Sequence, residues 1–210
     1  MNASLDGPTL ARGIDRLAAS DPDLAAAVAR IGYPIPRMRP SGFATLLRIM
    51  VSQQLSTRSA AAIWERLAAA CGEAVTPEAF AALDDAACRA IGLSGRKIDY
   101  GRGLAAALLD GRLDLDRLAG MPGEEAVAAL CALKGFGRWS AEIYLLFALG
   151  RADAWPADDL ALQIGMQRLK GLDARPDRKR MDLLAEPWRP LRGCGAIFLW
   201  HFYGAATLDG

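Results

Sequence analysis

Two helical patterns are joined by the sequence Leu133-Lys134-Gly135-Phe136-Gly137-Arg138-Trp139-Ser140-Ala141. The glycines at 135 and 137 allow a tight hairpin, because glycine adopts φ values that other residues disfavour. After the hairpin, apolar residues share one helical face and indicate a buried helix: Ala141, Tyr144, Leu145 and Ala148. Backbone N–H groups at the start of that helix could bind an anion such as a phosphate. A plain glycine turn between two packed helices explains these residues equally well, so both interpretations stay open here.

The helical pattern extends through most of the chain. Alanine and leucine are abundant, runs of β-branched residues are scarce, and apolar residues recur at helical spacing. The clearest pattern follows Ser41, a candidate N-cap, and comprises Phe43, Leu46, Leu47, Met50 and Val51. Asp-Pro at 21–22 and Thr-Pro at 76–77 each pair a capping residue with proline at the first helical position. The sequence therefore predicts an all-α fold with twelve helices between residues 9 and 205, none of them within residues 110–122.

Length and composition indicate a globular protein. The chain has 210 residues, 52% of them hydrophobic and 23% charged, so it can bury a sizeable core. Lys and Arg number 25 against 24 Asp and Glu, which gives a formal net charge of +1. This near-neutral balance excludes a polycation that coats nucleic acid, so any nucleic-acid contact must be local.

Cysteine and histidine usage argues against a metal centre built from closely spaced ligands. The chain has one histidine, His201, and no CxxC pair among its cysteines, which are Cys71, Cys88, Cys131 and Cys194. The first residues lack the charged and apolar regions of a signal peptide, and no apolar run reaches the length of a membrane span. We therefore expect a soluble, cytoplasmic protein with reduced thiols and no membrane partner, associated with the nucleoid if it is bacterial.

A second informative stretch, Ala154-Trp155-Pro156-Ala157-Asp158-Asp159-Leu160, follows the predicted buried helix. An aspartate at a helix start accepts hydrogen bonds from the first N–H groups and interacts favourably with the helix dipole. Either Asp158 or Asp159 can serve as this cap. Capping needs only one of them, which leaves the other available for a site, although capping alone explains both.

Taken together, these two stretches carry a family resemblance. The sequence LKGFGRWSAEIYLLFALGRADAWPADDLALQ, residues 133–163, resembles the signature of the helix-hairpin-helix (HhH-GPD) base-excision DNA glycosylases. Residues 43–56 resemble the family's helix that ends in a Gln-Gln turn, and residues 92–100 resemble its Gly-Leu-Ser segment before a long helix. Residues 188–192, leading to Trp200, resemble the C-terminal helix of the alkylation-repair branch. These matches occur in order over about three quarters of the chain, which makes them more specific than one short motif.

The resemblance implies an architecture. It implies two interleaved helical lobes with a helix-hairpin-helix motif and an active site in a cleft between them. The first lobe would comprise roughly residues 1–45 and 155–210, and the second roughly residues 46–154.

The resemblance also implies a chemistry. It assigns the catalytic carboxylate to Asp159, which precedes the Leu-Ala-Leu helix as the family's aspartate precedes its own. In glycosylases with lyase activity a lysine follows the hairpin, whereas this chain has Trp139 there. The chain thus resembles DNA-3-methyladenine glycosylase II, a monofunctional enzyme that flips and excises alkylated purines by N-glycosidic hydrolysis in base excision repair. Ionised Asp159 would stabilise positive charge on the sugar and activate water, with no metal in bond cleavage and no required cofactor.

Candidate binding residues follow from the same resemblance. Aromatic rings attract a cationic base, and the pocket candidates are Trp139, Tyr144 and Trp200. Their alternative role is core packing. Core packing is also the role expected of Trp64, Trp155 and Trp188. The DNA contact is assigned to Gln53, Gln54 and Leu55. Gln54 or Leu55 would be the wedge that fills the gap left by a flipped nucleotide. The alternative for the two glutamines is that they end a helix with polar residues. The hairpin residues assigned to DNA are Gly135, Phe136, Gly137 and Arg138.

Further contacts to ions and phosphates are expected. Backbone carbonyls of Leu133 and Gly135 are candidate ligands for a structural K⁺ or Na⁺ at the hairpin. Between Met166 and Arg192 the chain has eight basic and four acidic residues, a local excess that could meet phosphates. The expected partner is double-stranded DNA with damaged bases, bound by a monomer. The alternatives are a non-catalytic helix-hairpin-helix DNA-binding protein and a glycosylase for uracil, deaminated or oxidised bases.

Overall fold

The computed structural model describes residues 5–206, which form two compact units. The central unit comprises residues 39–144, and the terminal unit comprises residues 5–38 and 145–206. The division after Tyr144 falls within a helix. The boundaries expected for the two lobes, near residues 45 and 154, remain predictions.

The secondary structure of the described residues is helical, and residues 5–206 contain no strand. The all-α prediction is confirmed. The helices are α1 Gly7–Ala18, α2 Pro22–Ile31, α3 Phe43–Ser52, α4 Thr57–Cys71, α5 Pro77–Ala81, α6 Asp85–Ile91, α7 Gly95–Leu109, α8 Leu115–Gly120, α9 Gly123–Cys131, α10 Arg138–Phe147, α11 Leu160–Leu169, α12 Arg178–Ala185, a 3₁₀ turn Glu186–Trp188, and α13 Arg192–Ala206. None of these helices is long and apolar enough to span a membrane.

Side-chain caps set the starts of many helices. A Ser, Thr or Asp side chain accepts a first-turn N–H at each of these positions: Asp6, Asp21, Ser56, Thr76, Asp84, Ser94, Asp114, Asp159 and Asp177. The prediction that Ser41 caps α3 is wrong. The N-cap is Gly42, whose φ of 137° favours glycine, and α3 has no side-chain cap.

Helix α8 lies in the region where no helix was predicted. It has six residues, and the Asp114 carboxylate accepts the N–H groups of Asp116 and Arg117. Leu118 is its one fully buried side chain, and six residues make fewer than two helical turns, which is too short for a repeating apolar pattern. Local capping and one buried leucine therefore define α8.

The core of the terminal unit is built from α1, α2, α11 and α13 together with Trp188. Asp21, the N-cap of α2, is buried inside it. Its carboxylate accepts the Leu24 N–H at 3.2 Å, the Trp188 indole N–H at 2.8 Å and the Lys170 ammonium at 2.6 Å. This one carboxylate thus joins α2, the end of α11 and the 3₁₀ turn.

The core of the central unit forms around α3, which packs against α4 and α7. The residues of the predicted apolar face are all buried: Phe43, Leu46, Leu47, Met50 and Val51. Helix α7 also packs closely against α5, where a Cβ on Gly101 would lie 2.6 Å from the Phe80 ring. A glycine at 101 is therefore required for this contact.

Candidate functional site

The candidate catalytic carboxylate, Asp159, caps α11 in the terminal unit. Its Oδ1 accepts the Leu162 backbone N–H and the Trp200 indole N–H, each at 3.0 Å. Asp158 is exposed and forms an ion pair with Arg178 of α12. Of the two candidate caps, Asp159 is the one that caps α11, so the capping residue and the candidate catalytic residue are the same aspartate. Capping fixes the position of the Asp159 carboxylate at the start of α11.

Trp200 reaches Asp159 from α13. It is half-buried, and its ring lies against Phe147 with the ring centroids 5.4 Å apart. This packing holds the indole so that its only hydrogen-bond donor points at Asp159. Trp155 and Trp188 fill the core of the terminal unit, as predicted, with their rings edge to face.

The predicted hairpin lies in the central unit between α9 and α10. Gly135 has a φ of 89°, and a Cβ at this position would overlap the Tyr100 ring of α7. Phe136 is buried, and its N–H donates to the Leu133 carbonyl at 3.1 Å. Gly137 is exposed before the first turn of α10. Both the backbone conformation and the contact with Tyr100 therefore require glycine at position 135.

Backbone oxygens of this hairpin already accept hydrogen bonds. The Gly135 carbonyl accepts the Gln53 side-chain amide at 2.8 Å, and the Leu133 carbonyl accepts the Phe136 N–H. A carbonyl oxygen has two lone pairs, so one hydrogen bond does not fill it. A monovalent cation at Leu133 and Gly135 stays a prediction.

Arg138, a predicted DNA contact, is held by carboxylates of its own unit. It donates to Glu124 at 2.5 and 2.8 Å and to Glu142 at 2.9 Å. The hydrogen bonds to Glu124 raise the pKa of Arg138 above its usual value. The side chain therefore anchors the start of α10 to α9, and its role toward DNA stays a prediction.

The three residues after α3 do not share one environment. Gln53 is half-buried, and its amide donates to the Gly135 carbonyl and to Ser140 Oγ, both at 2.8 Å. Gln54 has a φ of 57°, and its side chain is exposed. Leu55 is 38% exposed. The structure thus directs Gln53 toward the hairpin, while Gln54 and Leu55 face solvent.

The predicted pocket aromatics belong to different units. Tyr144 is fully buried in the central unit, its hydroxyl accepts the Gly42 N–H at 3.0 Å, and burial raises the pKa of Tyr144. Trp139 is half-buried in the first turn of α10, also in the central unit. Trp200 lies in the terminal unit beside Asp159. The Trp200 indole N–H donates to the candidate carboxylate.

Sequence reasoning missed Lys97 and Ser140. The Lys97 ammonium donates to the Val51 carbonyl at 2.7 Å and to the Gln53 carbonyl at 2.9 Å. Burial lowers the pKa of Lys97. Lys97 and Tyr100 are three residues apart and lie on one face of α7. The Lys97 contacts join residues 44 and 46 positions apart, so no local pattern in the sequence marks them.

A family model, "HhH-GPD superfamily base excision DNA repair protein", matches residues 47–190, more than half of the chain. The chain belongs to this superfamily. The HhH-GPD match includes the Gln53–Leu55 turn, the hairpin and Asp159, whereas Trp200 lies beyond it.

Individual HhH-GPD relatives are similar over most of the chain. DNA-3-methyladenine glycosylase 1 of Schizosaccharomyces pombe is 35% identical over 161 residues, which are 74% of this chain and 69% of that protein. DNA-3-methyladenine glycosylase 2 of Escherichia coli is 28% identical over 194 residues, 85% of this chain and 65% of that protein. A solved S. pombe 3-methyladenine DNA glycosylase in complex with abasic DNA has a TM-score of 0.84 and 30% identity, and the match covers 93% of this chain and 97% of that one. The predicted family resemblance is confirmed.

Proposed function

We propose that this chain is a DNA glycosylase that flips alkylated purines out of double-stranded DNA and excises them as part of base excision repair. The observation that carries the proposal is Asp159, a carboxylate fixed at a helix start by two donors on one oxygen. The relatives named DNA-3-methyladenine glycosylases support the substrate class. The protein acts as a monomer on DNA.

The chemistry of alkylated purines suits this arrangement. Purines such as 3-methyladenine and 7-methylguanine carry positive charge, so the bond to the sugar is already weak. The protein extrudes the nucleotide, and ionised Asp159 stabilises the positive charge that develops on the sugar. Asp159 also orients and activates the attacking water, and aromatic rings hold the cationic base. The half-buried Trp200 and Trp139 are the first proposed source of those rings, and Tyr144 would contribute only if its buried ring became accessible on binding.

The DNA contacts are assigned to the central unit. The exposed Gln54 and Leu55 form the proposed wedge that fills the gap left by the flipped nucleotide. Backbone N–H groups at the start of α10, preceded by Gly135 and Gly137, face a DNA phosphate in this proposal. Gln53 supports the wedge through its bond to the Gly135 carbonyl.

The reaction proposed for this chain is hydrolysis without a lyase step. A lyase step needs an amine that replaces the base at the sugar carbon and forms a Schiff base, and Trp139 stands where a lysine would supply it. We expect no covalent protein–DNA adduct when borohydride is added during excision. Electrophoresis after trapping measures this. A trapped species that disappears in Lys134→Ala would instead assign a lyase reaction to the exposed hairpin lysine.

Trp200→Phe tests the contact with Asp159. Phenylalanine keeps a ring against Phe147 but removes the indole donor. A hydrogen bond to a charged group contributes about 1.5–3 kcal/mol, so we expect single-turnover excision to slow about tenfold or more. Trp64→Phe is the matched control, since Trp64 lies in the central unit and packs under Arg48. Equal rates for the two variants would contradict the role of the indole N–H.

Base release measures the proposed function directly. Methylated DNA and uracil-containing DNA are incubated with the protein, and released bases are separated by chromatography. We expect 3-methyladenine and 7-methylguanine from the methylated DNA. Release of uracil alone would assign the chain to deaminated bases. DNA binding with no release from methylated, uracil-containing or oxidised DNA would identify a non-catalytic DNA-binding protein.

A further inference from the structure

Helix α7 touches both the turn after α3 and the hairpin. Helix α3 ends at Ser52, so the carbonyls near its end lack helical partners. The Lys97 ammonium donates to two of them, Val51 O at 2.7 Å and Gln53 O at 2.9 Å. A cation at a helix C-terminus also interacts favourably with the helix dipole. Lys97 thus fixes the point where the chain leaves α3.

The same face of α7 supports the hairpin through Tyr100. The hairpin backbone at Gly135 lies so close to the Tyr100 ring that a Cβ there would overlap it. Gln53 links the two segments, because its side chain bonds Gly135 O and Ser140 Oγ while its own carbonyl accepts Lys97. The turn and the hairpin are therefore each held by α7 and also by each other.

The held turn contains an uncommon backbone conformation. Gln54 is the one non-glycine residue among residues 5–206 with positive φ. Its neighbour Leu55 donates its N–H to the Ser52 carbonyl at 3.2 Å. Such a conformation persists only where surrounding contacts define it. Around this turn, those contacts are the bonds of Lys97 and Gln53.

We propose that Lys97 is a positioning residue, which fixes the exposed Gln54–Leu55 pair relative to the hairpin so that the pair enters DNA already ordered. The proposal rests on the proposed function, since it takes Gln54 and Leu55 as the wedge. Preorganisation removes the entropy cost of ordering the turn on binding. Lys97 itself touches carbonyl oxygens of the protein and acts through the turn.

Lys97→Met tests this positioning role, because methionine keeps much of the side-chain volume and removes the ammonium. We expect faster hydrogen exchange of the Leu55 N–H in the variant. Affinity for duplex DNA that contains an abasic-site analogue is expected to fall about tenfold, while affinity for undamaged duplex changes little. The slope of log affinity against log salt is expected to stay the same, because Lys97 makes no phosphate contact.

Two further variants complete the experiment. Gln53→Met removes the bonds to the hairpin, and we expect it to reproduce the changes in hydrogen exchange and in affinity. This variant replaces Lys97→Met in the experiment if Lys97→Met lacks a cooperative unfolding transition and is therefore not folded. Arg112→Gln is the charge control; this exposed arginine lies in the turn after α7 and pairs with Asp110. We expect it to leave hydrogen exchange at Leu55 and specific affinity unchanged.

The outcomes separate the positioning role from the proposed function. A salt slope reduced by about one in Lys97→Met would make Lys97 a phosphate contact and overturn the inference. Unchanged exchange at Leu55 with unchanged affinity would also overturn it. If the wild type binds the abasic analogue but releases no base, the proposed function fails, while exchange and affinity still decide the role of Lys97.

Discussion

Asp159→Asn is expected to bind damaged DNA as the wild type does and to lose excision by about a hundredfold to a thousandfold. Asparagine retains an oxygen that can accept the Leu162 and Trp200 N–H groups, so the cap of α11 survives. What it lacks is the negative charge that stabilises the sugar in the transition state. Single-turnover base release and DNA affinity, measured on the same preparation, check both halves of the expectation.

Asp158→Asn is the matched control for this substitution. It removes the neighbouring charge and the ion pair with Arg178, and leaves the cap and the Trp200 contact unchanged. We expect its excision rate to stay within a few-fold of the wild type, because exposed ion pairs contribute little energy. Full excision activity in Asp159→Asn, or an equal loss of activity in Asp158→Asn, would contradict the role of Asp159 as the catalytic carboxylate.

Asp21→Ala is expected to lower the free energy of unfolding by about 3–5 kcal/mol, because it removes the buried carboxylate that pairs with Lys170 and leaves buried donors without an acceptor. The substitution also removes the cap of α2 and the acceptor of the Trp188 indole N–H. Urea denaturation measures the loss. Asp23→Ala is the control, since Asp23 bonds the same ammonium at 2.8 Å but its side chain is 51% exposed. We expect Asp23→Ala to lower the free energy of unfolding by about 0–1 kcal/mol. Similar losses in the two variants would contradict the claim that the buried carboxylate contributes more than the exposed one.

The contribution of Asp21 also depends on pH. Burial, the largest single influence, raises its pKa, but hydrogen bonds from Lys170, Trp188 and the Leu24 N–H together hold the pKa below its usual value. In an unfolded chain an aspartate titrates near about pH 3.9. The stability that Asp21 contributes is therefore full above that pH and is lost as the pH falls through its folded pKa. The difference between wild type and Asp21→Ala should narrow in acid, and a constant difference down to about pH 2 would contradict this linkage.

Local signals in the sequence account for most of the helices and for the hairpin. Proline after Asp21 and after Thr76 marks helix starts that the structure confirms, because capping depends on neighbours in the chain. The buried face of α3 follows directly from its apolar spacing. Helix α8 was not predicted because its six residues are too few to show a repeating apolar pattern.

Contacts between distant residues could not be predicted in the same way. The basic stretch from Met166 to Arg192 looked available for phosphates, yet four of its cations form ion pairs: Lys170 with Asp21 and Asp23, Arg178 with Asp158 and Asp182, and Arg189 and Arg192 with Asp153. Most of these partners lie far away in sequence. Counting charges within a window misses them, just as the polar pattern at Gln53 gave no sign that its amide bonds the hairpin.

The double use of one Asp159 oxygen has an evolutionary consequence. Alanine at this position would fray α11 at a cost of about 1 kcal/mol, whereas asparagine, serine or threonine would keep the cap. A descendant that abandoned catalysis would still be selected to retain a capping residue at position 159. Substitutions tolerated at this position would therefore give folded proteins that bind damaged DNA without excising the base. Such a protein could differ from this one by the single change Asp159→Asn.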